Sequence, residues 1–239
     1  MSVRLGVNVD HVATIRNARG ENHPDPYLTA KKSIKYGANS VTIHLREDRR
    51  HIMDKDLKNI TSNKSIPLNL EIASNFKMLK IAIKYKPDFV CIVPEKRNEV
   101  TTEGGLNLKK NKKKIKRIIE LLNNKKIRTS LFINPTLSDV KISKEINSKC
   151  IELQTGTISN QIKNNKNYFN ELKKIKICSK YAKSLDLEVH AGHRMDYKTA
   201  KILSKIKEIE EFNIGHFIIV ETIIKGLKKV ILNFKKILK

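Results

Sequence analysis

Tryptophan is absent from this 239-residue sequence, and aromatic side chains make up only 5% of it. The 39% of hydrophobic residues must therefore build a core from Ile, Leu and Val rather than from large rings. Cysteine is scarce as well. Cys91, Cys150 and Cys178 are odd in number, widely spaced and set in apolar strand-like or helix-like runs. Buried reduced thiols are expected, in place of a disulfide or metal framework. No apolar run is long enough to span a bilayer: the longest, residues 217–224, is interrupted by Glu221. The N-terminus runs straight into a strand pattern with no signal-peptide features, so a cytoplasmic protein with no membrane partner is expected. Neither G-x-G-x-x-G nor a Walker A sequence is present.

Acidic residues are also few. Against 49 Lys and Arg there are 24 Asp and Glu, a formal charge of +25. Such an excess is the footprint of a nucleic-acid binder, but its distribution points elsewhere. Lysines crowd stretches that read as outer helix faces or surface turns, such as Lys109-Lys110, Lys112 to Lys114 and Lys235-Lys236. Arg16, Arg19, Arg46, Arg49, Arg50, Arg97 and Arg194 fall in segments read as loops after strands. Arginine holds phosphate or carboxylate in planar bidentate geometry, whereas lysine is a hydrated point charge. The lysine excess is read as compositional drift, and no nucleic-acid partner is expected.

Short β-branched runs alternate with longer helix-like stretches. Strands are expected at 3–9, 40–44, 67–71, 89–93, 127–133, 150–153, 187–191 and from 212. Helices are expected at 26–36, 54–61, 75–85, 108–123, 138–146, 168–184, 197–206 and 221–238. Residues 160–167 read as a polar loop. Continuous apolar strands are those of a parallel sheet buried on both faces. Eight β-α units in one chain of this length give a single-domain α/β fold, a (β/α)8 TIM barrel over residues 1–239.

Barrels of this kind place their sites at the C-terminal ends of the strands, and the unusual residues gather there. The strand ends carry Asn8-Val9-Asp10-His11, His44-Leu45-Arg46, Asn69-Leu70-Glu71, Glu95 with Arg97, Glu152 with Gln154, His190-Ala191-Gly192-His193 and Asn213-Ile214-Gly215-His216. Of the seven histidines, only His23 reads as lying away from a strand end. Histidine exchanges protons near neutral pH. Desolvation at a barrel mouth raises a carboxyl pKa and suits Glu71 to a base. Arg19 and Arg46 are candidate phosphate clamps. Thr101 to Gly105 offers hydroxyls and backbone N–H groups for a lid over an anion, and Gly215 can bring its N–H to a phosphate. A catalytic metal is not expected, because the H-x-H spacing of many metal-dependent barrel hydrolases is missing and His190 and His193, three apart on a strand, point to opposite faces. A metal-dependent barrel enzyme acting on a sugar phosphate and a nonenzymatic RNA-binding protein remain the alternatives at this point.

The strand-end motifs resemble, in order and over essentially the whole chain, the pyridoxine 5′-phosphate synthase family. The matching runs are residues 6–14 and 16–20, 44–51, Asn69-Leu70-Glu71, 93–97, 99–105, Ala191-Gly192-His193 and Asn213-Ile214-Gly215-His216, of which 44–51 and 99–105 are the most specific. The resemblance implies condensation of 1-deoxy-D-xylulose 5-phosphate with 3-amino-2-oxopropyl phosphate, without metal or organic cofactor, in a homo-octamer built from dimers. It implies His44 and Glu71 as general bases, His193 as proton donor and Glu152 as stabiliser of a transition state. Asn8, Gly215 and His216 would hold the amino-ketone phosphate, with Arg19 contacting that side, and Asp10, His11, Arg46, His51 and Thr101 the xylulose phosphate; Arg194, at the position where the family backbone approaches the amino-ketone, is a further candidate contact. Three positions depart from the family pattern. Arg194 replaces a glycine after the Ala-Gly-His motif, Val220-Glu221 replaces a small residue followed by Arg, and Gln154 replaces a common His.

Overall fold

A computed structural model describes residues 2–95 and 104–239. Eight parallel strands close on themselves in chain order, β1 (Arg4–Asn8), β2 (Ser40–His44), β3 (Leu68–Ala73), β4 (Phe89–Val93), β5 (Arg128–Ile133), β6 (Cys150–Gln154), β7 (Glu188–Gly192) and β8 (Glu211–Ile214). Helices wrap the outside: α1 (Asp10–Arg19), α2 (Pro26–Lys35), α3 (Asp54–Ser62), α4 (Phe76–Tyr85), α5 (Leu108–Asn123), α6 (Leu137–Glu145), α7 (Gly156–Lys163), α8 (Phe169–Ser184), α9 (Tyr197–Leu203), α10 (His216–Lys225) and α11 (Leu227–Ile237). This is the (β/α)8 barrel expected from the sequence. None of these helices is long and apolar enough to cross a membrane.

The period-two alternation of a strand divides the molecule into two interiors. Leu5 and Val7, Val41 and Ile43, Leu68, Leu70 and Ile72, and Phe212 and Ile214 turn outward into the main apolar core beneath the helices. Their neighbours Thr42, Asn69, Ser130, Glu152, His190 and Asn213 face the barrel axis, buried and polar. Cys91, Val93 and Phe132 make a small apolar cluster apart from the main core. The axial residues satisfy one another across the barrel: Asn69 donates to Thr42, whose hydroxyl donates to Asn213, which donates from Nδ2 to Glu152 at 2.7 Å.

Ion pairs fill the floor of the barrel, at the amino ends of the strands. Arg4 binds Glu211 at 2.8 Å and also Glu188, and Glu188 meets Arg128 and lies 2.8 Å from His190 Nε2. The sequence reading put His190 at a strand end beside the site. It sits mid-strand instead, two residues below Gly192, and faces the floor. Burial works against its charged form, but Cys150, Glu188 and Glu211 outweigh that and hold its pKa well above the usual imidazole value.

Three helical segments differ from expectation. Residues 10–19, read as a loop, form α1, which buries Val12, Ala13 and Arg16. A buried arginine on the inner face masks the apolar period; it is neutralised by Asp56 of α3 through bonds of 2.6 and 2.9 Å. The first half of the expected 160–167 loop belongs to α7, whose inner face includes the small residues Gly156 and Ser159. The single terminal helix divides at Gly226, with φ of 76°, into α10 and α11.

Candidate active site

A cavity of about 420 Å³ opens at the carboxyl ends of the strands. Most of the lining comes from inward-facing residues in the carboxyl-terminal halves of the strands and from the loops that follow them. β1 supplies Asn8 and, at the start of α1, Asp10 and His11; β2 supplies His44 and then Arg46 and His51; β3 supplies Glu71, and β6 Glu152. His193 and Arg194 follow β7, and Asn213, Gly215 and His216 come from β8 and its turn. Twelve of the expected residues, Asn8, Asp10, His11, His44, Arg46, His51, Glu71, Glu152, His193, Arg194, Gly215 and His216, thus share one cavity.

One described residue, Arg19, does not join them: the chain leaves β1 directly into α1, and nine residues of helix, about 14 Å, carry Arg19 to an exposed position at its far end. Thr101 lies outside the described residues, as does Arg97. Gly105, which closes the same motif, is fixed against the end of β5, where its N–H donates to Asn134 Oδ1 at 3.0 Å. The other loop arginines serve the scaffold. Arg49 pairs with Asp54 and Arg50 with Asp48. Glu221 pairs with Lys225 on α10, away from the cavity.

Asp10 organises the β1–β2 side. It accepts from Asn8 Nδ2 at 2.8 Å and from the His44 backbone N–H at 2.8 Å, while its own N–H donates to Asn8 Oδ1 at 2.9 Å. His51 Nδ1 accepts the Ile52 N–H at 2.9 Å, so its neutral ring carries its proton on Nε2. Burial lowers the pKa of His51 and of His11, whose ring meets His216 edge-on with centroids 5.0 Å apart.

The two catalytic candidates among the carboxylates are shifted upward. Burial, with Glu152 and Asp10 nearby, raises Glu71 well above the ordinary carboxyl value. Burial raises Glu152 to about 7, against the opposing pull of His190 and of the Asn213 amide. His193 moves the other way: burial, Arg194 and Lys163 bring it down to about 4, so its imidazole is neutral at pH 7. The backbone at this corner is unusual, since His193 and Arg194 have φ of 85° and 60°. The Thr155 hydroxyl lies 2.7 Å from the carbonyl oxygens of both Gly192 and His193 and fixes the turn. Gly192 itself is required by space: a Cβ there would lie 2.2 Å from Glu152 Oε1. A Cβ on Gly215 would come within 2.9 Å of Asn8 Cβ, so backbone approaches the cavity closely here too.

Sequence reasoning missed Asn160 and Lys163, which reach the cavity from α7, with Asn160 Oδ1 accepting from Arg194 at 3.3 Å. Recognising α7 as a helix would have found them, because positions 160 and 163 share a face one turn apart. It also missed a structural role for Glu95, just beyond β4, which contacts His44 and Arg46. Among the described residues there is no cluster of three or more His, Cys, Asp or Glu placed to hold a metal ion.

A closed barrel with paired carboxyl and imidazole groups of divergent pKa around one mouth is the architecture of an acid–base (β/α)8 enzyme. Likeness to solved structures establishes the fold alone. Tryptophan synthase from M. tuberculosis superposes with a TM-score of 0.66 at 7% identity, covering 100% of this chain and 94% of that one. Phosphoribosylanthranilate isomerase from Thermotoga maritima gives 0.58 at 10%, covering 98% and 97%. Sequence comparison is more specific: the chain belongs to the family of the pyridoxal phosphate biosynthesis protein PdxJ, whose profile matches residues 5–239. The pyridoxine 5′-phosphate synthase of Pelagibacter ubique is 65% identical over 98% of both chains. That of Zymomonas mobilis is 48% identical over 95% of this chain and 88% of its own.

Proposed function

We propose that this enzyme is a pyridoxine 5′-phosphate synthase joining 1-deoxy-D-xylulose 5-phosphate to 3-amino-2-oxopropyl phosphate with loss of phosphate and water, by general acid–base catalysis without a metal. The observation that carries the reading is the convergence of His44, Glu71, Glu152 and His193 on one cavity in a chain of this family. Joining an amine to a ketone, dehydrating and aromatising a ring requires repeated proton transfers, and several groups of different proton affinity around one cavity supply them.

In this reading His44 and Glu71 remove protons. His193, neutral when the cavity is empty, becomes the donor once a phosphate dianion beside Arg194 and Lys163 offsets their charge. Glu152, held by Asn213, meets positive charge that develops on the amine-derived nitrogen. Asn8, Gly215, His216 and Arg194 hold the amino-ketone phosphate, and Asp10, His11, Arg46 and His51 the xylulose phosphate, with Thr101 and Arg19 as further contacts. The protein is further proposed to be cytoplasmic, to assemble as a homo-octamer built from dimers and to have no nucleic-acid partner.

Turnover of the two substrates, followed by product absorbance in the presence of EDTA, tests the reaction. Product formation that survives chelation supports it. Absence of turnover at saturating substrate, or activity restored only by a divalent ion, overturns it. Sedimentation analysis tests the assembly.

A further inference from the structure

Glu95 follows β4 by two residues and is not part of the cavity wall, yet its side chain is only 3% exposed. A buried carboxylate needs partners. Glu95 Oε1 accepts the Glu47 backbone N–H at 2.9 Å and lies 3.9 Å from Arg46 Nη2. Its other oxygen, Oε2, lies 3.5 Å from His44 Nε2. Both of those atoms are shut off from solvent and, among the described residues, neither has another hydrogen-bond partner. A buried donor and a buried acceptor left apart cost about 1–3 kcal/mol, so a small side-chain rotation that closes the gap is favoured. The opposite ring atom, His44 Nδ1, faces the cavity side, 3.9 Å from Glu71 Oε2. The remaining charged or titratable groups around the ring are Asp10, Arg46 and His51.

We propose that Glu95 is a positioning residue that takes the Nε2–H of His44, making a carboxylate–imidazole dyad in which Nδ1 is the basic atom presented to substrate. The carboxylate fixes one tautomer and balances the imidazolium formed when Nδ1 takes a proton, as a buried acid does for a histidine base on unrelated folds. The charge state agrees: burial alone would raise the Glu95 carboxyl, but His44, the Glu47 N–H and Arg46 bring it below the ordinary value. The anchoring of Oε1 to the β2 loop leaves Oε2 aimed at the ring.

The inference rests on His44 acting as a base, and its test separates the two. In 15N-histidine-labelled wild-type protein without substrate, the neutral ring of His44 should carry its proton on Nε2; a ring protonated on Nδ1 overturns the dyad whether or not the enzyme turns over. Absence of wild-type turnover would instead count against the proposed reaction. In Glu95→Gln, kcat should fall about 100-fold with KM within about threefold of wild type, and Glu95→Asp should recover at least about tenfold over Gln. Unchanged kcat in Glu95→Gln, or a loss that Asp does not relieve, overturns the role. If Glu95→Gln does not fold, the wild-type spectrum decides.

Discussion

Gly192 shows how little room a single residue has at this mouth. Alanine there would place a methyl 2.2 Å from Glu152 Oε1 and 3.0 Å from the Asn213 carbonyl, so the carboxylate must move. Displacement of a reacting group by about 1 Å costs on the order of 10²-fold in rate. Gly192→Ala is therefore expected to lower kcat by about that factor while circular dichroism stays native. Arg194 offers the converse case. A non-glycine residue at φ of 60° bears left-handed strain of about 1–2 kcal/mol, partly offset by the entropy a glycine would lose. Arg194→Gly should raise Tm by a degree or more, and loss of its charge should raise KM for one phosphorylated substrate; steady-state kinetics and calorimetry read both. Most of the cavity residues were legible in the sequence because each stands at the end of an apolar run, where the barrel puts its chemistry. Arg19 was not, since reading it correctly required knowing that Asp10 starts a helix.

At the scale of elements, what binds α1 to α3 is an ion pair rather than an apolar stripe. The Arg16 and Asp56 side chains are 3% and 4% exposed, and Asp56 also accepts the Met53 N–H at 2.8 Å. Removing one member of such a pair strands the other, at a cost of about 3–5 kcal/mol. Asp56→Ala is expected to lower Tm by more than about 6 °C, and the double variant Arg16→Met/Asp56→Ala by less, as thermal denaturation would show. The same pair explains a limit of sequence reading. Strands announced themselves through unbroken β-branched runs, but α1 hides an arginine in its inner face and α7 mixes the small residues Gly156 and Ser159 with only two buried apolar ones, Ile158 and Ile162. Helices whose inner face is shared with a charge or with small residues show only a short stretch of the apolar rhythm by which α4, α5 and α11 are recognised. The residues α7 brings to the cavity, Asn160 and Lys163, were lost with it.

The whole molecule carries a stability cost for its site. Glu152 has a folded-state pKa of about 7, above the roughly 4.3 of an unfolded glutamate. Between those values the folded chain holds a proton that the unfolded chain releases, so stability declines as pH rises through the window, by roughly 4 kcal/mol in all. Glu152→Gln keeps an oxygen for the Asn213 amide and removes the charge. It should raise Tm at pH 8, lose that advantage as pH falls toward 4, and abolish turnover; melting curves across pH together with the coupled assay check all three. The interlocked Arg4, Arg128, Glu188, His190 and Glu211 have a different consequence at this scale. They make the barrel a blind vessel for anything larger than water. In the proposed reaction two reactants would enter and a bulky heterocycle would depart through the mouth at the carboxyl ends, so the finished molecule and at least one incoming reactant would exclude each other, and accumulating product should inhibit competitively against that reactant.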